Sequence, residues 1–150
     1  MNKPIAIIAG EPNSISSEII FKSWKLRKQY IHKPLMVIGN IQLLNLQKKK
    51  LKCNIQIKKI ENNFSIEDLN GSKLPVYNVE YNQKKPFQKI SNKSNKYIFR
   101  SFDIAINLIK NKKIIGLINC PVSKETLFEN KYQGITEFLS KKAGIENNEV

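Results

Sequence analysis

Histidine is nearly absent from this sequence, cysteine is scarce, and arginine has been almost displaced by lysine. Its 150 residues contain one histidine, His32, and two cysteines, Cys53 and Cys120. So few imidazole and thiol groups cannot make an ordinary zinc site within the chain. The cysteines are too far apart for a metal knuckle or a disulfide framework, which leaves two reduced thiols in a cytoplasmic protein as the simplest reading. His32 precedes Lys33-Pro34 in a connection, the place of a surface residue. With His32 alone to draw on, no Ser-His-Asp or Cys-His arrangement is credible. Neither a GxGxxG fingerprint nor a Walker lysine loop is present. No apolar run approaches the roughly 20 residues of a membrane span. The opening MNKPIAIIAGEP enters a strand pattern at once, unlike a signal peptide.

Positive charge is what the chain has in excess. Lysine and arginine number 26 against 12 aspartates and glutamates, a formal charge of +14. Taken alone, that suggests a polyanionic partner. The distribution argues otherwise. The lysines are scattered through every segment, and arginine, the residue suited to bidentate phosphate contacts, occurs only at Arg27 and Arg100. The accompanying wealth of Asn and Ile is what A/T-rich codons produce. A basic nucleic-acid-binding domain is therefore the third-ranked reading. Apolar residues make up 41%, enough for one folded domain with a core of its own.

The apolar pattern predicts alternating strands and helices. Pro4–Gly10 and Pro34–Asn40 are short apolar runs that read as buried strands. A helix follows the first, with Ile15, Ile19, Ile20 and Trp24 on one side. A shorter helix carrying Leu43, Leu44 and Leu46 follows the second. Cys53–Ile60 alternates like an edge strand, and Lys73–Tyr81 is a further extended segment. Asn82–Asn95 reads as a loop. Lys96–Lys110 makes a strong amphipathic helix through Ile98, Phe102, Ala105, Ile106 and Ile109. Ile114–Ile118 is the third clear buried strand, closed by Asn119-Cys120-Pro121. Ser123 is placed to cap a short helix. Thr136 is placed to cap a last one, which Gly144 stops. The order predicts an α/β fold, an α/β/α sandwich around a mostly parallel sheet.

Ligands of such sheets bind beyond the carboxyl ends of the strands. Ala9–Ser16 and Asn119–Lys124 occupy that place, with GITEF close by in sequence. Helix starts present unpaired N–H groups that suit phosphate, Lys124 adds a mobile charge, and Thr136 adds a hydroxyl. These are the features of an anion site. Glu11 reads as an ion-paired turn carboxylate.

The same stretches resemble the 4-hydroxythreonine-4-phosphate dehydrogenase family. IAIIAGEPNSISSEI is similar to that family's opening strand and GEPAGIGPE-type turn, INCPVSKETL to its TGPINKEAL segment, and GITEFLSKKAG to its GHTEFLAE segment. The resemblance spans Ile5 to Gly144 and only the first half, or slightly less, of the family's length. It implies an incomplete copy of a two-domain fold like that of isocitrate and isopropylmalate dehydrogenases, with residues 1–150 as the N-terminal part. It also implies a homodimer with its active site at the subunit interface. The implied reaction is NAD-dependent oxidation of 4-phosphooxy-L-threonine, followed by decarboxylation, on the way to pyridoxal phosphate. A divalent metal (Zn, Mg or Co) would polarise the reacting oxygen.

Carried over, the motifs imply substrate contacts at Thr136 and Lys124, both retained, and at Ser14. Ile135 stands at the family's substrate-binding histidine. Ser14 and Ser16 stand at turn glycines, Cys120 at another glycine, and Pro121 is kept. The family's metal-binding histidines and most NAD contacts fall beyond this stretch. An end at Val150 would leave sheet edges uncovered, as a truncated gene product would. The expectation is a fragment without full activity; the alternative is a non-catalytic module that binds a phosphorylated ligand.

Overall fold

A computed structural model describes residues 3–30, 32–129 and 131–144. Five strands form one sheet: β1 Ile5–Ile8, β2 Leu35–Gly39, β3 Ile57–Ile60, β4 Leu74–Asn78 and β5 Gly116–Asn119. Their order across the sheet is β3-β4-β2-β1-β5, and all four pairings are parallel. The helices are α1 Ser16–Tyr30, α2 Ile41–Lys50, α3 Ile66–Leu69, α4 Asn95–Lys110, α5 Lys124–Phe128 and α6 Ile135–Ala143.

Handedness explains the layers. From β1 to β2 to β3 the chain steps in one direction across the sheet, so right-handed crossovers carry α1 and α2 over one face. From β3 to β4 to β5 it steps back, and α3 and α4 lie over the other. The strands show this in their alternation. Val37, Val76 and Leu35 pack with Ile20, Phe21, Trp24 and Leu44. Ala6, Ile8, Met36 and Ile38 pack with Ile98, Phe102, Ala105 and Leu108 of α4. Phe128 and Phe138, from α5 and α6, join the second group, and their rings lie 5.6 Å apart. This is the α/β/α sandwich expected from the pattern.

Several local expectations need correction. Ile15 is 62% exposed and Ile19 is exposed as well. Helix α1 begins only at Ser16, and its buried stripe is Ile20, Phe21 and Trp24. On α4, Ile109 is exposed and Leu108 takes its place in the core. The strand expected at Ile114–Ile118 is β5, which starts two residues later, ends one later, and lies at the sheet edge, where it pairs with β1. There Ile118 is 52% exposed. The segment expected to be merely extended became β4, an interior strand whose Leu74, Pro75 and Val76 are buried. Helix α3 has too few residues for an apolar period. Its signal is the reciprocal capping box of Ser65 and Asp68. The loop Asn82–Asn95 closes with a 3-10 turn at Asn92–Ser94, and α4 starts within it, at Asn95.

The caps divide. Ser123 caps α5 by accepting the Thr126 N–H, as expected. Gly144 closes α6 with φ +76°. Thr136 does not cap α6, because the helix begins one residue before it, with Gly134 at the cap. The Glu137 carboxylate reaches back instead and accepts the Gln133 N–H at 2.7 Å.

Candidate functional site

The strand order creates crevices where neighbouring strands send their chains to opposite faces. Such switch points, at the carboxyl ends of strands, are where α/β sheets bind ligands. One lies between β1, which continues into α1, and β5, which continues into α5 and α6 over the other face. Its two sides are the turns Ala9–Ser16 and Asn119–Lys124, picked out in the sequence for their chemistry.

The two turns are in direct contact. The Glu11 N–H donates to the Pro121 carbonyl at 2.9 Å, and the Ser16 hydroxyl lies 3.3 Å from the same oxygen. Gly10 makes this approach possible. Its φ is +68°, and a Cβ there would sit 2.5 Å from the Pro121 carbonyl oxygen, closer than any side-chain carbon tolerates. Beside it, burial pushes the Cys120 thiol up to about 11.

Glu11 differs from expectation. Its side chain is fully buried, and among the described residues no ion pair reaches it. It accepts instead from the Asn13 N–H at 3.0 Å and from the Ser94 hydroxyl at 2.8 Å. Ser94 comes from the start of α4, 83 residues along the chain. Asn13 accepts from the Gln83 side chain and the Gln88 N–H, each at 2.8 Å. Gln47 binds the carbonyls of Pro12 and Pro86 through one nitrogen. The segment from Gln83 to Ser94 thus clamps the first turn from outside. Sequence reasoning missed this role. Its polar residues carry no period, and only the fold brings them to Glu11.

Ser14 belongs to the same network. Its hydroxyl donates to the Glu11 carbonyl at 2.8 Å and accepts from the Ser16 N–H at 3.2 Å. Its Oγ also lies 2.7 Å from Ser16 Oγ. The only hydroxyl proton of Ser14 is therefore spent inside the turn.

The other candidates lie to one side. Lys124 is exposed and extends toward the start of α6. A Cβ added at Gly134 would stand 3.6 Å from its Nζ. Lys124, Lys131, Gln133 and Glu137 line a polar cleft of about 570 Å3. Thr136 is exposed on the first turn of α6, and half-buried Ile135 packs against the apolar cluster that contains Phe128 and Phe138. The fold thus joins Ser14 to the Pro121 turn, and Lys124 to the α6 start. No hydrogen bond links Ser14 directly to Lys124 or Thr136 among the described residues. A further cleft of about 580 Å3 opens at the carboxyl ends of β2 and β4, lined by Asn78, Glu80, Tyr81 and Lys59 among others. That too is a switch point, since β2 leads to α2 on one face and β4 to α4 on the other.

Comparison with known proteins points to one family. A family model described as pyridoxal phosphate biosynthetic protein PdxA matches residues 31–149. The chain belongs to the PdxA family. It is 33% identical over 142 residues to the 4-hydroxythreonine-4-phosphate dehydrogenase of Campylobacter fetus, covering 93% of this chain and 41% of that protein. To the enzyme of the same name from Sulfurihydrogenibium it is 30% identical over 145 residues, covering 95% and 43%. The crystal structure of a 4-hydroxythreonine-4-phosphate dehydrogenase from Burkholderia phymatum superposes with a TM-score of 0.84 at 21% identity, covering 98% of this chain and 45% of that one. The chain spans less than half the length of these PdxA relatives. No three His, Cys, Asp or Glu side chains gather among the described residues. No described helix is long and apolar enough to cross a membrane.

Proposed function

We propose that this chain forms one wall of the substrate pocket of a 4-hydroxythreonine-4-phosphate dehydrogenase, the wall that receives a phosphorylated amino acid. The observation that carries the reading is the contact between the β1 and β5 turns at a switch point, with the Lys124 ammonium beside the start of α6. In this reading Lys124 meets the phosphate charge and Thr136 donates from the first turn of α6. The Glu11 network keeps the β1 turn rigid, and Ser14 acts through the shape of that turn. Ile135 cannot hydrogen-bond, so it shapes the pocket by packing. NAD-linked oxidation of 4-phosphooxy-L-threonine, decarboxylation and homodimer formation are properties of the whole enzyme in this proposal. Any NAD or metal would be held by parts of the family fold that this chain does not span.

The test is calorimetric titration of the chain with O-phospho-L-threonine, alongside NAD reduction measured with added divalent metal. Saturable binding that weakens in Lys124→Gln and Thr136→Ala supports the pocket wall. Binding without turnover supports a phosphate-ligand module, the alternative consistent with the exposed Lys124 cleft. Absence of binding in the wild-type chain removes both readings.

A further inference from the structure

The opposite end of the sheet holds a second concentration of charge. A cavity of about 370 Å3 opens between the end of α1, the connection into β2 and the segment after α3. Arg27, Lys28, His32 and Lys33 line it, with Trp24 and Asn70, and no carboxylate is among its lining residues. Glu67 and Asp68 of the adjoining α3 are engaged elsewhere, by Ser65 and by Lys58.

Arg27 is fixed in place. Its guanidinium lies 3.7 Å from the centre of the Trp24 ring. One nitrogen donates to the Trp24 carbonyl at 2.7 Å and another to the Gly71 carbonyl at 2.8 Å. Trp24 is itself held by a bond from its indole nitrogen to the Ser72 carbonyl. Carbonyls at the end of α1 take up part of the positive field, but they supply no counter-charge. Among the described residues no carboxylate pairs with Arg27, and partial burial alone lowers its basicity. A preorganised guanidinium carries its fork of donors at little entropic cost. Exposed Lys28 and Lys33 stand beside it, and no carboxylate lines the cavity with these three cations.

We propose that this cavity binds a small, multiply charged anion of the phosphate class, at a site separate from the β1–β5 crevice. Its basic lining suits inorganic pyrophosphate or the phosphate tail of a larger metabolite, which share the same recognising chemistry.

The molecule carries its own reporters. It has one tryptophan and one histidine, and both line this cavity. The experiment is titration with inorganic pyrophosphate at ionic strength matched by sodium chloride. It follows Trp24 fluorescence and the His32 imidazole protons by NMR. The expected result is saturable, one-site perturbation of both signals. Arg27→Gln should weaken binding at least about tenfold, the loss of one charge-assisted contact. Because Arg27 also ties α1 to Gly71, a second variant, Lys28→Gln with Lys33→Gln, removes only exposed charge and should weaken binding as well. Lys59→Gln, which does not line the cavity, should leave it unchanged. If the perturbation never saturates, or if Lys59→Gln weakens it as much as the Lys28/Lys33 pair, the affinity is diffuse surface charge and the site is wrong. Repeating the titration with a nucleoside triphosphate distinguishes the sources, since tighter binding than pyrophosphate assigns a phosphate tail and equal binding assigns the free anion.

Discussion

The β1 turn and the start of α6 are both candidate parts of one ligand site, and they are built in opposite ways. In the β1 turn, Glu11 and Ser16 are buried, and Glu11, Asn13, Ser14 and Ser16 all find partners within the protein. At the start of α6, Thr136 and Gln133 lie exposed, and Ile135 and Phe138 anchor the segment by apolar packing. The first is a finished scaffold whose polar atoms are spent on holding shape. The second keeps donors available to solvent or a ligand. A binding wall needs both, since a donor is selective only when something rigid fixes its position.

That contrast sets the order of the predictions. Glu11→Ala should cost the most, about 4 kcal/mol, because it removes the acceptor of the Asn13 N–H, leaves the Ser94 hydroxyl only the Ser91 carbonyl, and opens a cavity. Chemical denaturation of the variant measures this, and a loss below about 1 kcal/mol would mean that solvent satisfies these donors. Gly10→Ala should cost about 3 kcal/mol, since the left-handed backbone is strained for alanine and its Cβ must push the Pro121 carbonyl away. It should also separate the two turns and weaken any phosphate-ligand binding, which calorimetry would show.

Cys120 gives a pH test of the same crevice. Burial raises its thiol to about 11, so the folded state holds a proton that the unfolded state releases at lower pH. Its contribution is complete below the ordinary thiol range, and it is lost as pH rises from there to about 11. The slope is at most about 1.4 kcal/mol per pH unit. Cys120→Ser should flatten stability in that window, and an unchanged slope would assign it to other groups. Ser94→Ala should cost about 1 to 2 kcal/mol, one buried hydrogen bond to the Glu11 carboxyl. Thr136→Ala should change stability by less than about 0.5 kcal/mol while weakening O-phospho-L-threonine binding. The reverse pattern, large instability with unchanged affinity, would erase the distinction between scaffold and contact.

Periodicity and turn chemistry determined much of this protein locally. Parallel α/β layering, the amphipathic face of α4 through Ile98, Phe102 and Ala105, the Ser123 cap and the Gly144 stop all follow from spacing and backbone preference over a few residues. The motif turns, too, could be placed at strand ends, because an apolar run followed by Gly-Glu-Pro or Asn-Cys-Pro marks where a ladder stops. Tertiary structure alone decided the rest. It put β5 at the edge with Ile118 in solvent, set β4 between β2 and β3, and brought Ser94 to Glu11 and Lys124 to Gly134. It also gathered Arg27 and His32 at the far end of the sheet. Hydrophobic patterning reports how much of a residue is buried, and is blind to which neighbour does the burying. Strand order and the meeting of polar groups depend on contacts between residues distant in the chain, which no local pattern encodes.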